Sequence, residues 1–135
     1  MEIINWKNEF SVGVKEMDEQ HKKLLDMINR LIEEQHTLTD PKTIADLLTE
    51  MTDYAQVHFQ AEEFLMAEYG YEQISAQEKQ HQAFIDKTIS FYSASDIGPN
   101  VLSVALLDYL GSWLVGHILQ EDMKYKNFFK SKGLY

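Results

Sequence analysis

His58-Phe59-Gln60-Ala61-Glu62 sets a histidine and a carboxylate four residues apart, inside a long run with helical hydrophobic spacing. On a helix, residues four apart lie one above the other on the same face. That face also carries Leu47, Leu48, Met51, Ala55, Leu65 and Met66, so both polar groups point into a core. Burying an unpaired carboxylate is costly or forces it to take up a proton. Glu62 therefore needs compensation from elsewhere in the chain.

The stripe around this stretch runs from Ile44 to Tyr69. Asp40-Pro41 precedes it, an N-cap aspartate with proline at the first helical position, and Gly70 is a natural C-cap. Upstream, His21, Leu24, Leu25, Ile28, Leu31 and Ile32 form a second amphipathic stripe over about 18–36, with Asp18 as its expected cap. Downstream, Ser75 and Glu78 fit a capping box for a helix over about 76–93 that carries Gln77, His81, Phe84, Ile85 and Thr88. After the Gly98-Pro99 break, Leu102, Leu106, Tyr109, Leu110, Trp113, Leu114, His117 and Ile118 mark a helix over about 100–120. Tyr125, Phe128 and Phe129 predict one more short helical piece ending at Gly133. Residues before about 17 lack a period and are expected to form an arm packed on the surface. Four helices joined by short loops imply an all-α, up-down-up-down antiparallel bundle, a single domain over 1–135.

Composition narrows the function. A net charge of −10 argues against nucleic acid and against an anionic membrane surface. No apolar run approaches the ~20 residues of a membrane span, and the N-terminus lacks a signal-peptide pattern. The expected location is the cytoplasm. Without cysteine, thiolate catalysis and iron–sulfur ligation are excluded, so any metal is held by nitrogen and oxygen.

Each long stripe carries one histidine: His21, His58, His81 and His117. A lone histidine on an apolar face is usually a core residue bonded to a carbonyl. Here, antiparallel order brings all four toward the same end of the bundle, where Glu62 and Asp122 accompany them. The fifth histidine, His36, falls at the opposite end and is left out of the site. Such a cluster without a cation would strand charge out of water. Two carboxylates with four imidazoles exceed what one tetrahedral zinc needs, so two metals fit better. On an ideal helix Asp122 would be rotated about 140° from His117. The helix must therefore end or widen there, unless Asp122 is a solvent-facing acid.

These residues resemble the bacterial hemerythrins, relatives of invertebrate hemerythrin and myohemerythrin. The resemblance runs through Trp6-Lys7, Ser11-Val12-Gly13-Val14, Met17-Asp18-Glu19-Gln20-His21, His58-Phe59-Gln60-Ala61-Glu62-Glu63, His81-Gln82-Ala83-Phe84 and Trp113-Leu114-Val115-Gly116-His117-Ile118-Leu119-Gln120-Glu121-Asp122. Myohemerythrin is itself an example of the up-down bundle. The resemblance implies two iron ions bridged by Glu62, Asp122 and an oxo or hydroxo group. His21 and His58 match the terminal ligands of the iron that binds O2, and His81 and His117 match two of three histidines on the other iron. Phe59, Trp113, Leu114 and Ile118 match the apolar pocket over O2.

The departure is Gln77, which stands four before His81 where the family has a histidine. A carboxamide oxygen is a harder and weaker ligand than imidazole. Three outcomes are open: Gln77 ligates through oxygen, holds a water, or leaves the position vacant. The implied function is a non-haem di-iron protein that binds O2 as carrier, store or sensor, with its redox balance shifted by Gln77. Peroxidase-like or ferroxidase-like turnover is the competing class. An O2- or iron-sensing module would need a redox or signalling partner on a separate chain.

Overall fold

The computed structural model describes residues 2–36, 41–93 and 99–135. A single 3-10 turn, Asn8–Phe10, precedes four long helices: α1 (Lys15–His36), α2 (Pro41–Tyr69), α3 (Ile74–Ser93) and α4 (Pro99–His117). A π-helical stretch, Ile118–Asp122, continues α4 directly into the short α5 (Met123–Ser131). Each long helix packs on the one before and the one after it, and α4 closes back onto α1. This is the four-helix bundle expected from the stripes. Among the described residues no helix is long and apolar enough to cross a membrane.

The stripes do the packing. Leu24, Leu25, Ile28, Leu31 and Ile32 of α1 are buried with Leu48, Met51, Ala55 and Met66 of α2, Phe84 and Ile85 of α3, and Leu106, Leu110 and Leu114 of α4. Leu107, off the expected stripe, is buried as well. Thr52 and Thr88 enter the core by donating their hydroxyls to the carbonyls of Leu48 and Phe84, four residues back. Gly70 closes α2 at φ +76°, with the N–H of Tyr71 donating to the carbonyl of Met66 at 2.8 Å. That left-handed position is why glycine stands there.

Several local expectations need correction. The arm is part of the core, because Phe10, Val12 and Val14 are buried. Helix α1 starts at Lys15, so Asp18 lies inside it and does not cap its start. Its carboxylate instead reaches back to the arm, accepting from the Ser11 hydroxyl at 2.6 Å and the Val12 N–H at 2.8 Å. Asn29 holds the arm further up by exchanging hydrogen bonds with both backbone groups of Ile4, at 2.8 and 2.7 Å. Helix α3 begins at Ile74, which puts Ser75 within its first turn. The last helical piece stops at Ser131, with Gly133 two residues beyond. The Asp40 cap, Gly98 and the side chains of His36, Ile44 and Leu102 lie outside the described residues.

Candidate metal centre

Each long helix contributes a histidine to the centre, α2 adds Glu62 and the π stretch adds Asp122. Within α2, the i,i+4 spacing sets His58 Nε2 3.0 Å from Glu62 Oε1. Helix α1 brings His21 alongside, its ring centroid 4.7 Å from that of His58. His21 Nε2 then lies 3.5 Å from Glu62 Oε2 and 3.2 Å from Asp122 Oδ2. On the other side, His81 of α3 and His117 of α4 face each other with their Nε2 atoms 3.2 Å apart. His81 Nε2 is 3.5 Å from Glu62 Oε1, and His117 Nε2 is 3.2 Å from Asp122 Oδ1. All six side chains are buried. Their donor atoms fall into two groups that share Glu62, one with His21 and His58, the other with His81, His117 and Asp122. Asp122 touches both, since its second oxygen faces His21.

Asp122 gets there through the π stretch. In a regular helix a residue five after His117 would point away, whereas a π turn pairs residues five apart and swings Asp122 inward. Of the outcomes the spacing left open, the helix widens at Ile118–Asp122, and Asp122 is buried and does not face solvent.

Burial works against every charge in this layer. It pushes the Glu62 carboxyl up, but His58, His21 and His81 outweigh it and hold the group well below its usual range. For Asp122, burial and the charge of Glu62 both push up, and His117 and His21 pull the group down overall. Burial lowers His21, yet Asp122 and Glu62 raise it to about 10. The two carboxylates thus favour the protonated form of His21 in the metal-free cluster. Even so, His21 Nδ1 and Nε2, Glu62 Oε1, Gln77 Oε1 and Asp122 Oδ2 are buried with no hydrogen-bond partner. Nearly all polar atoms in a protein interior are satisfied. Nitrogen and oxygen donors converging without partners are what a pair of cations would complete, so these residues fit a dimetal unit.

Residues just outside the cluster hold it in place. His58 Nδ1 pairs with Gln20 Oε1 at 2.6 Å, His81 Nδ1 with Glu63 Oε2 at 2.8 Å, and His117 Nδ1 with Gln80 Oε1 at 2.8 Å. Such partners fix the tautomer and leave Nε2 free to bind a metal. Tyr125 of α5, fully buried, donates its hydroxyl to Glu62 Oε2 at 2.6 Å. Burial, then the charges of Glu62 and Asp122, push the phenol well above its ordinary pKa, so it remains a donor. Periodicity missed Gln20, Glu63 and Gln80. A detectable signal existed, since each is the immediate neighbour of His21, Glu62 or His81.

Two of the expected pocket residues pack on histidines of the site. Phe59 stacks on His81 (centroids 4.0 Å apart, planes at 7°), and Trp113 stacks on His117 (4.4 Å, 10°). Phe59 and Trp113 meet edge-on at 5.7 Å. Leu114 and Ile118 are buried. The aromatic wall thus leans on the His81–His117 half, while Phe59 lies only obliquely to His58, at 5.7 Å. A groove of about 390 Å³ between α2 and α3, lined by Gln56, Phe59, Gln60, Glu63, His81 and Ile85 among others, opens beside this wall. Gln77 is fully buried in the same layer, its Nε2 donating to Asp122 Oδ1 at 3.0 Å.

Residues 12–129 match the family model described as the hemerythrin HHE cation binding domain. The chain belongs to the hemerythrin family. A bacteriohemerythrin of Clostridium acetobutylicum is 31% identical over 124 residues, spanning 89% of this chain and 96% of that one. A hemerythrin-like protein of Naegleria gruberi is 33% identical over 122 residues, 90% of each chain. The crystal structure of wild-type hemerythrin superposes with a TM-score of 0.79 at 25% identity, covering 93% of this chain and 96% of that one. Hemerythrins bind a di-iron centre, and the Glu, Asp and His groups of this chain stand in position to hold one.

Proposed function

We propose that this hemerythrin-family chain is a non-haem di-iron, O2-binding protein in which His21 and His58 hold one iron, His81 and His117 hold the other, and Glu62 and Asp122 bridge them. The observation that carries the reading is the single buried layer of converging histidine and carboxylate groups drawn from every long helix, in which atoms of His21, Glu62, Gln77 and Asp122 have no hydrogen-bond partner. When bound, the two irons supply the electrons that O2 binding draws on. The chain supplies the rest. Gln20, Glu63 and Gln80 orient three of the imidazoles, and Tyr125 steadies Glu62 without surrendering its proton.

Phe59, Trp113, Leu114 and Ile118 are proposed as the apolar surround that keeps water from the bound gas. Tight packing of their rings on His81 and His117 supports this. With two imidazoles on each half, the centre carries more oxygen donors than the family pattern, and hard donors favour ferric over ferrous iron. Oxidation is therefore expected to compete with clean reversible binding. A cytoplasmic setting belongs to the same proposal and is checked by cell fractionation.

Anaerobic iron titration followed by O2 exposure, watched by optical spectroscopy, tests the function. Two irons per chain and an O2-dependent charge-transfer band that fades over repeated cycles are expected. One iron or none refutes the centre, and a band that survives many cycles refutes the redox shift.

A further inference from the structure

Gln77 poses a narrower question, one that rests on the dimetal reading above. Its side chain is fully buried, its nitrogen donates to Asp122 Oδ1 at 3.0 Å, and its oxygen has no partner. The orientation of the amide follows from chemistry. An ionised carboxylate only accepts, so the NH2 must face Asp122, and the reverse setting would press oxygen against oxygen. With the nitrogen committed, Oε1 is left as an acceptor without a donor, at a cost the fold otherwise avoids.

Position and reach both put that oxygen where a ligand belongs. Gln77 lies four residues before His81 on α3, the same spacing that joins His58 to Glu62 on α2. Glutamine Oε1 and histidine Nε2 are separated from Cα by the same number of bonds, so the amide oxygen reaches as far as an imidazole would.

We infer that Gln77 binds the metal held by His81 and His117 through its amide oxygen, while its amide nitrogen stays on Asp122. The two interactions support each other. The hydrogen bond to Asp122 fixes which atom the amide presents, and coordination satisfies the atom left over. Gln77 thus acts as a neutral oxygen ligand and as a clamp on the bridging aspartate.

The test compares metal-free wild type, Gln77→Leu and Gln77→His by anaerobic cobalt(II) titration. Affinity is read by calorimetry, and exchangeable water on the metal is counted by line broadening of isotope-labelled water. Wild type should take up two ions. Gln77→Leu should weaken one of the two sites by about tenfold or more and add one exchangeable water. Gln77→His should tighten the same site and leave the water count as in wild type. Equal affinity and water count in wild type and Gln77→Leu would overturn the inference. So would a Gln77→His protein with one water fewer than wild type, because wild type would then hold a water where the amide was placed. Failure of the underlying reading looks different: neither wild type nor Gln77→His would take up a second ion.

Discussion

Tyr125→Phe isolates one bond between α5 and the centre. The hydroxyl donates at 2.6 Å to Glu62 Oε2, and both groups are buried. The ring would stay where it is, packed edge-on to Tyr71 at 6.4 Å and tilted on Phe129 at 5.0 Å, so no cavity opens. What disappears is a charge-assisted hydrogen bond to a carboxylate with no water to replace it, worth about 1.5–3 kcal/mol. Taking about 2 kcal/mol at roughly 3–5 °C per kcal/mol for a chain of this size, Tm should fall by about 6–10 °C. Thermal unfolding of the iron-free protein reads the Tm shift, and urea denaturation reads the free-energy loss, with an unchanged m-value showing that the same surface is exposed. The loss should shrink in the iron-loaded protein, where a cation neutralises Glu62. Repeating the substitution in a Glu62→Gln background gives the pair's coupling, expected at about 1 kcal/mol or more. A loss below about 0.5 kcal/mol, or an equal loss in both backgrounds, would refute the assignment.

Other expectations can be checked with the same material. Glu63→Gln removes the anionic acceptor from His81 Nδ1 and should weaken metal binding at the His81–His117 half by about tenfold, read by competition with a chelator. Stability of the metal-free protein should fall on both sides of neutrality. Glu62 and Asp122 sit below their usual range, so their contribution holds above that range and is lost as pH falls through the lowered values. His21 is raised from 6.5 to about 10, so its contribution is complete below 6.5 and lost as pH rises through about 10. By the same logic, metal uptake near neutral pH should displace the His21 proton, visible as acidification of a lightly buffered titration. Deleting the partly exposed Leu119 would leave the aspartate four residues after His117, the spacing of His58 and Glu62. Metal stoichiometry measured on that variant should be unchanged.

The bundle was legible because each long helix writes an apolar stripe, and the centre because each stripe is interrupted by a histidine at the same end. The spacing of His117 and Asp122 left a helix end, a widened turn or a solvent-facing acid open, and the structure has the widened turn. Residues that support the site were harder to see for a specific reason. Gln20, Glu63 and Gln80 sit one residue off the stripes, where periodicity assigns them to solvent, yet they reach sideways to an imidazole on a neighbouring helix. Asp18 carried a capping signal, but the buried arm residues Val12 and Val14 bring the chain close enough for the helix to begin earlier and use that carboxylate as a tether. Tyr125 read as one aromatic among several, and only the position of α5 reveals its partner. Gln77 was visible as an exception, but the sequence does not show which of its two polar atoms meets Asp122.

The π stretch at Ile118–Asp122 has a consequence beyond Asp122. Because α5 continues it without a break, the extra residue sets the rotational phase of everything that follows. Tyr125 and Phe129 lie three and seven residues after Asp122, so they share its side of the helix and are buried with it. One local change in helical pitch thus aims the Asp122 carboxylate, the phenol that binds Glu62, and an aromatic ring of the core. A substitution that alters the pitch there would turn all three together, so metal affinity and the stability of this end of the bundle should rise and fall as one quantity.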